Sequence, residues 1–391
     1  MKKVRKIVLG ILILLFVIFP EISYATEEGQ AVSQEEVLDT QMEQLGIRDF
    51  LEEGKQYTKD IYGDLDFNQI LTDAITGKVD NESIIQGIIH KLGEEVLDNI
   101  SLILNIIIII VIHSILRSFT EGLENHGIGK VAYYAQYLLI ATLILTSFTQ
   151  IIGMVKEAVE NLVGFMDCLI PILITLLVTT GSFASAGMLE PILLYLITII
   201  GNLMEYIVLP LILASTVLIL VSHLNKRVQV DKLAKFFHSS ATWILGVVLT
   251  LFVGLVSLEG SLTSSVDGVT AKTTKAAVSS FVPVVGKILG DAVDTVLGCS
   301  SILKNAVGIV GFLVILGICI GPILKLTILM ALYYLTAAIC QPIADEAITK
   351  LLEQMGKTFQ VLLGILCSIS VMLLIGVALV IKISNAGLMY R

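Results

Sequence analysis

Long apolar stretches recur along the chain, separated by short polar connectors. They fall at residues 97–116, 131–152, 162–180, 191–222, 241–259, 305–324, 326–343 and 359–382. An apolar helix of about 20 residues crosses a hydrocarbon core, and helices satisfy their own backbone groups in lipid. The pattern therefore predicts an all-α, polytopic membrane protein with about 7–9 transmembrane segments. Three longer connectors, 223–240, 260–304 and 344–358, interrupt the series.

The run at 191–222 is too long for one relaxed span and too short for two complete ones. If the chain enters from outside at residue 96, crossings at 97–116, 131–152 and 162–180 put the loop 181–190 in the cytoplasm. The basic connector "HLNKRVQVDKLAK" at 223–235 also belongs in the cytoplasm by the positive-inside rule. Both hold only if 191–222 enters and returns to the same side. Asn202, Glu205 and Pro210 at its centre suit a turn between two half-spans, so a broken or re-entrant segment is expected. A single tilted helix, with one connector that ignores the charge rule, is the alternative.

A different periodicity marks 281–298, "FVPVVGKILGDAVDTVLG". Phe281, Val284, Ile288, Val296 and their neighbours share one broad helical face, and Lys287, Asp291 and Asp294 form a narrow polar stripe on the other. Pro283 suits a first helical turn. The spacing predicts an amphipathic helix, either lying in the membrane interface or turning its stripe into a wet interior. It is a surface pattern, not an acid/base pair.

The N-terminus, "MKKVRKIVLGILILLFVIFPEISYATEE", has a basic start, a short apolar core and small residues before a cut between Ala25 and Thr26. That is the layout of a secretory signal peptide over 1–25, with an uncleaved anchor as the alternative. Residues 26–96 then form an acidic extracytoplasmic segment with helical spacing, as at Val37, Leu38, Met42 and Leu45. Residues 97–391 make up the polytopic domain, the amphipathic helix included.

Charge sharpens this division. The net charge is −9. Residues 26–96 hold 17 acidic and 5 basic side chains, whereas 97–391 hold 16 of each. No basic face for nucleic acid exists. The mean hydropathy is +0.90 and charged residues make up only 15% of the chain, against about 25% in soluble domains.

Ionisable groups at membrane depth face a cavity or a partner, so each is a candidate. His113 closes the first run in "IIIIIVIHSILRSF", where an interfacial role is the plain alternative. Asp167 stands four residues before Pro171 in "LVGFMDCLIPIL"; the proline frees a carbonyl there and the aspartate could line a wet crevice. Asn202 and Glu205 complete the set. The cysteines, Cys168, Cys299, Cys319, Cys340 and Cys367, show no metal or redox spacing and read as packing residues. No GxxxxGK[ST], HExxH or GxSxG occurs. The chain is expected to be no enzyme and to need no cofactor, an intramembrane aspartyl protease using Asp167 with Asp291 or Asp294 being the weakest reading.

Several stretches carry a resemblance. "FVPVVGKILGDAVDTVLGCSSILKNAVGIVG" at 281–311, "IPILITLLVTTGSFASAGMLEPILLYL" at 170–196 and the ending "ISNAGLMYR" resemble stage III sporulation protein AE of endospore-forming bacteria, over roughly 95–391. The resemblance implies a multi-pass protein of the mother-cell membrane around the forespore. It implies a subunit of a secretion-like channel joining the two cells, with a cytoplasmic secretion-type ATPase and ring-forming proteins as partners. It assigns no catalytic residue. The alternative from the residues themselves is a free-standing secondary transporter with a polar site around Asp167, Asn202 and Glu205.

Overall fold

The computed structural model describes residues 40–62, 67–76, 103–112, 126–224, 230–281 and 285–389, with a few isolated neighbours, and side chains at 59–62, 76, 126–130, 132–133, 184, 223–224, 259–295 and 383–389 lie outside it. Among the described residues the chain is all-helical. Two short helices, α1 (Ile47–Tyr62) and α2 (Phe67–Thr76), precede α3 (His126–Thr179) and α4 (Phe183–Leu203). A π-helical turn, Met204–Val208, joins α4 to α5 (Leu209–Leu224). Then come α6 (Asp231–Phe281), α7 (Val285–Cys340) and α8 (Glu346–Met389).

Among the described residues, five helical stretches are long and apolar enough to cross a membrane: Tyr134–Thr179, Ser185–Ser222, Asp231–Leu258, Val296–Cys340 and Glu346–Lys382. Four of the eight runs have fused in pairs, and the first, 97–116, lies partly outside the described residues. Runs 131–152 and 162–180 share α3, and 305–324 and 326–343 share α7. The connector between the first two, "GMVKEAVEN", is polar but built of good helix formers, so it continues the helix across the seam. Pro171 and Pro322 both sit inside helices without ending them. At 1.5 Å per residue the 46-residue stretch of α3 is about 69 Å long, more than twice a hydrocarbon core of about 30 Å. Tilt alone does not absorb such an excess, so the longest helices extend past the lipid.

The fusion removes the premise of the re-entrant segment. With 126–179 as one helix, the loop after it lies opposite to residue 126, and 183–224 crosses straight back. The basic connector 223–235 then falls on the same side as residue 126 without any reversal. Residues 191–222 are accordingly one continuous helical course: α4 and α5 make no contact with each other, and both adjoin the π turn between them. A departure from regular helix does stand where Asn202, Glu205 and Pro210 placed a break. Leu209 N–H reaches back to Met204 O, the five-residue step of a π turn. Pro210 has no N–H to give to the turn before it, and the wider π ring accommodates the loss.

The hairpin between α3 and α4 closes on Gly181, whose φ of 86° is in the left-handed region. Gly181 N–H donates to Val178 O and Ser182 N–H to Leu177 O, at 2.9 and 3.2 Å, the paired bonds of a Schellman stop. Helices α7 and α8 form the longest antiparallel pair, and α3 packs along it. Phe359 of α8 meets Tyr333 of α7 and Phe148 of α3, with ring centroids 5.2 and 6.1 Å away. About 30 Å further along, Gly311 of α7 lets Leu169 of α3 approach its backbone.

Helix α7 also corrects the amphipathic segment. Phe281 ends α6, and from Val285 the backbone runs without interruption into the 56-residue α7. The stretch 281–298 is not a separate interfacial helix but mostly the first turns of α7. The side chains of Lys287, Asp291 and Asp294 lie outside the described residues, as do His113, Ala25 and Thr26.

Candidate functional site

A cluster of charged groups forms where α3 crosses the π turn. Gly201 permits this approach: a Cβ there would stand 2.6 Å from Val163 Cγ2, so only glycine lets α4 lie this close to α3. Four residues further on, Glu205 meets Lys156 of α3 at 3.0 Å, and Glu160 meets the same lysine at 3.6 Å, one helical turn away. Lys156 is half exposed, with 46% of its side chain accessible, whereas Glu205 is mostly covered at 17%. One cation thus stands between two carboxylates, with Asn202 and Glu157 exposed beside them. Such a cluster fixes the register of two helices and presents charge outward.

Asp167 is not part of this cluster. It is exposed on α3, eleven residues beyond Lys156, or about 16 Å along the helix. The structure therefore does not bring Asp167 together with Asn202 and Glu205. Its surroundings belong instead to the acidic N-terminal segment. Phe165 packs against Phe50 and Tyr57 of α1, at 5.5 and 6.1 Å between centroids, and the Cys168 thiol faces Glu53 Oε1 at 3.4 Å. Gly54 of α1 lies against Val314 of α7. Helix α1 buries Ile47, Phe50, Leu51 and Thr58 on the bundle and exposes Arg48, Asp49, Glu52 and Lys55. Burial, followed by Glu53 and Cys168, raises the Tyr57 hydroxyl above its ordinary pKa of 10.0. Helix α1 thus sets a charged outer face beside α3 near residue 167.

One buried charge escaped the sequence reading. Lys304 of α7 is fully enclosed, and its Nζ donates to Ile381 O at 2.8 Å and Val380 O at 3.3 Å in α8. Its position at the edge of the long polar connector 260–304 hid it; the signal is that "SILKNAVGIVG" is already apolar enough to be packed. Among the described residues no group of three or more His, Cys, Asp or Glu side chains could hold a metal ion.

A family profile described as stage III sporulation protein AE matches residues 65–384. Stage III sporulation protein AE of Bacillus subtilis (strain 168) is 32% identical over 307 residues, which cover 78% of this chain and 77% of that protein. No solved structure matches.

Proposed function

This chain belongs to the stage III sporulation protein AE family, and on that premise we propose that it is a membrane subunit of a secretion-like channel between mother cell and forespore. It acts in the mother-cell membrane, a cytoplasmic secretion-type ATPase supplies the energy, and ring-forming proteins continue the passage outside the membrane. The observation that carries this reading is the direction in which the charge points. Lys156, Glu157, Glu160 and Asp167 sit on the outward side of α3, where a neighbouring subunit or a shared space can meet them. A free-standing transporter needs its polar groups converging at mid-depth inside one bundle, and Asp167 stands about 16 Å from the Lys156–Glu205 pair along α3. The absence of a phosphate-binding loop from the sequence leaves energy from nucleotide to a partner.

The test is a pull-down of the tagged full-length chain in mild detergent from sporulating cells. Co-recovery of a secretion-type ATPase and ring-forming proteins is the expected result. A chain that comes out alone, and moves a solute across vesicles by itself, would replace the subunit with a transporter.

A further inference from the structure

We propose that the outward face of α3 is one wall of a water-filled path whose lining is net negative, so that the path favours cations over anions. The proposal rests on the channel-subunit reading, since a single wall needs neighbouring subunits to close it.

The face is defined by spacing. Gln150, Gly153, Glu157 and Glu160 follow each other at three- and four-residue steps, Lys156 lies beside them, and Asp167 continues the line; all six are exposed. From Gln150 to Asp167 the stripe covers 17 steps, about 25 Å, which compares with a hydrocarbon core of about 30 Å. The exposed threonines just before it, Thr142, Thr146 and Thr149, return their hydroxyls to their own helix at 2.7, 2.9 and 2.9 Å. They tolerate lipid and water alike and weigh little. The ionised groups do not: each costs about 2.5–3.5 kcal/mol at mid-bilayer.

Helix α6 gives the depth. Ser215 of α5 donates to Ala234 O of α6 at 2.8 Å, and the two helices run antiparallel. Ten residues back from Ser215 and ten forward from Ala234, Glu205 stands near the height of Ile244, beside Trp243. From that height onward, over about 22 Å, α6 turns Trp243, Leu251, Leu255 and Leu258 outward, and residues 239–258 hold no ionisable side chain. That is a lipid-facing surface. At the same height α3 turns ionised groups outward, so its face meets something other than lipid.

Charge balance selects water. Lys156 stands against Glu157, Glu160, Asp167 and Glu205, leaving −3 per copy. A protein interface that enclosed these groups would have to supply three cations, because unpaired charges removed from water are strongly unfavourable. Water solvates the excess without a matched partner. Carboxylates along a water path attract cations, as rings of them do in cation channels.

Two glycines provide the test with little disturbance. Gly153 on α3 and Gly246 on α6 are both exposed, and a Cβ at either meets nothing within 4 Å. Gly153→Cys and Gly246→Cys are made in a full-length chain whose half-exposed Cys168 and Cys367 are alanine, and membranes of sporulating cells are treated with charged methanethiosulfonates. We expect Gly153→Cys to react at least ten-fold faster than Gly246→Cys. At Gly153→Cys the quaternary-ammonium reagent should outpace the sulfonate several-fold, after normalising to a free thiol. Equal, slow reaction at both positions overturns the water path, and equal, fast reaction overturns the lipid depth on which it rests. A sulfonate as fast as the ammonium overturns the negative lining. Partners recovered in the pull-down together with a silent Gly153→Cys would leave the subunit standing without this wall.

Discussion

Two lysines in the helical bundle are neutralised in opposite ways. Lys304, in the α7–α8 hairpin, is fully enclosed and held by the carbonyls of Val380 and Ile381. Lys156, where α3 meets the π turn, is half exposed and held by the carboxylates of Glu205 and Glu160. Around Lys304 the structure spends backbone dipoles and encloses no described carboxylate partner. Around Lys156 it assembles more negative charge than the lysine cancels. The difference teaches where water is. A cation shielded from solvent is tolerated when fixed dipoles point at it, whereas a surplus of carboxylates needs solvent.

The comparison breaks most visibly at Lys304. A carboxylate placed there would face two carbonyl oxygens, so Lys304→Glu should destabilise the bundle by about 3–5 kcal/mol, the cost of an uncompensated buried charge. Thermal unfolding of the purified protein in detergent would read it. Lys304→Met should stay within about 1 kcal/mol of the parent, because both carbonyls belong to a helix that runs on to Met389 and each retains its own helical donor. A methionine variant as unstable as the glutamate one would mean that the lysine's two bonds clamp the hairpin.

A smaller effect is expected at Gly201, which sets how closely α4 approaches α3. Gly201→Ala brings a Cβ to 2.6 Å from Val163 Cγ2, and a valine in a helix has almost no alternative rotamer. Overpacking costs about 1–3 kcal/mol, and the better helix propensity of alanine returns up to about 1 kcal/mol. A net loss of about 1–2 kcal/mol should follow, and Val163→Ala in the same chain should recover most of it. Failure of the second change to rescue the first would show that Val163 is not what Gly201 accommodates.

The class of fold was legible because apolar runs of spanning length are the plainest signal in a sequence, but the joints between them were not. Hydropathy reports which residues tolerate lipid, not whether the chain turns. "GMVKEAVEN" has the polarity of a loop and the propensity of a helix, and packing against α7 and α8 decided for the helix. The π turn is an intermediate case: Glu205 and Pro210 correctly located an irregularity, yet one wide turn discharged the strain that a reversal was expected to absorb. Of the polar candidates, Glu205 was visible but its partner was not, since Lys156 lay in what reads as a connector. Contacts between residues 49 positions apart leave no mark on a single sequence.

The gentlest change tests the wet side of the comparison. Glu205→Gln removes one carboxylate from Lys156 and leaves Glu160 at 3.6 Å. If the lysine is solvated, the loss should be that of an exposed pair, about 0.2–1 kcal/mol, and should shrink further in added salt. If α3 instead faces lipid or a dry interface, the half-released lysine would lose its main support, and the cost should approach the 3–5 kcal/mol of a broken buried pair. The same unfolding measurement, repeated at two ionic strengths, separates these outcomes. A small, salt-sensitive loss at Glu205 beside a large, salt-insensitive one for Lys304→Glu would place the two lysines on opposite sides of the boundary between water and dry protein.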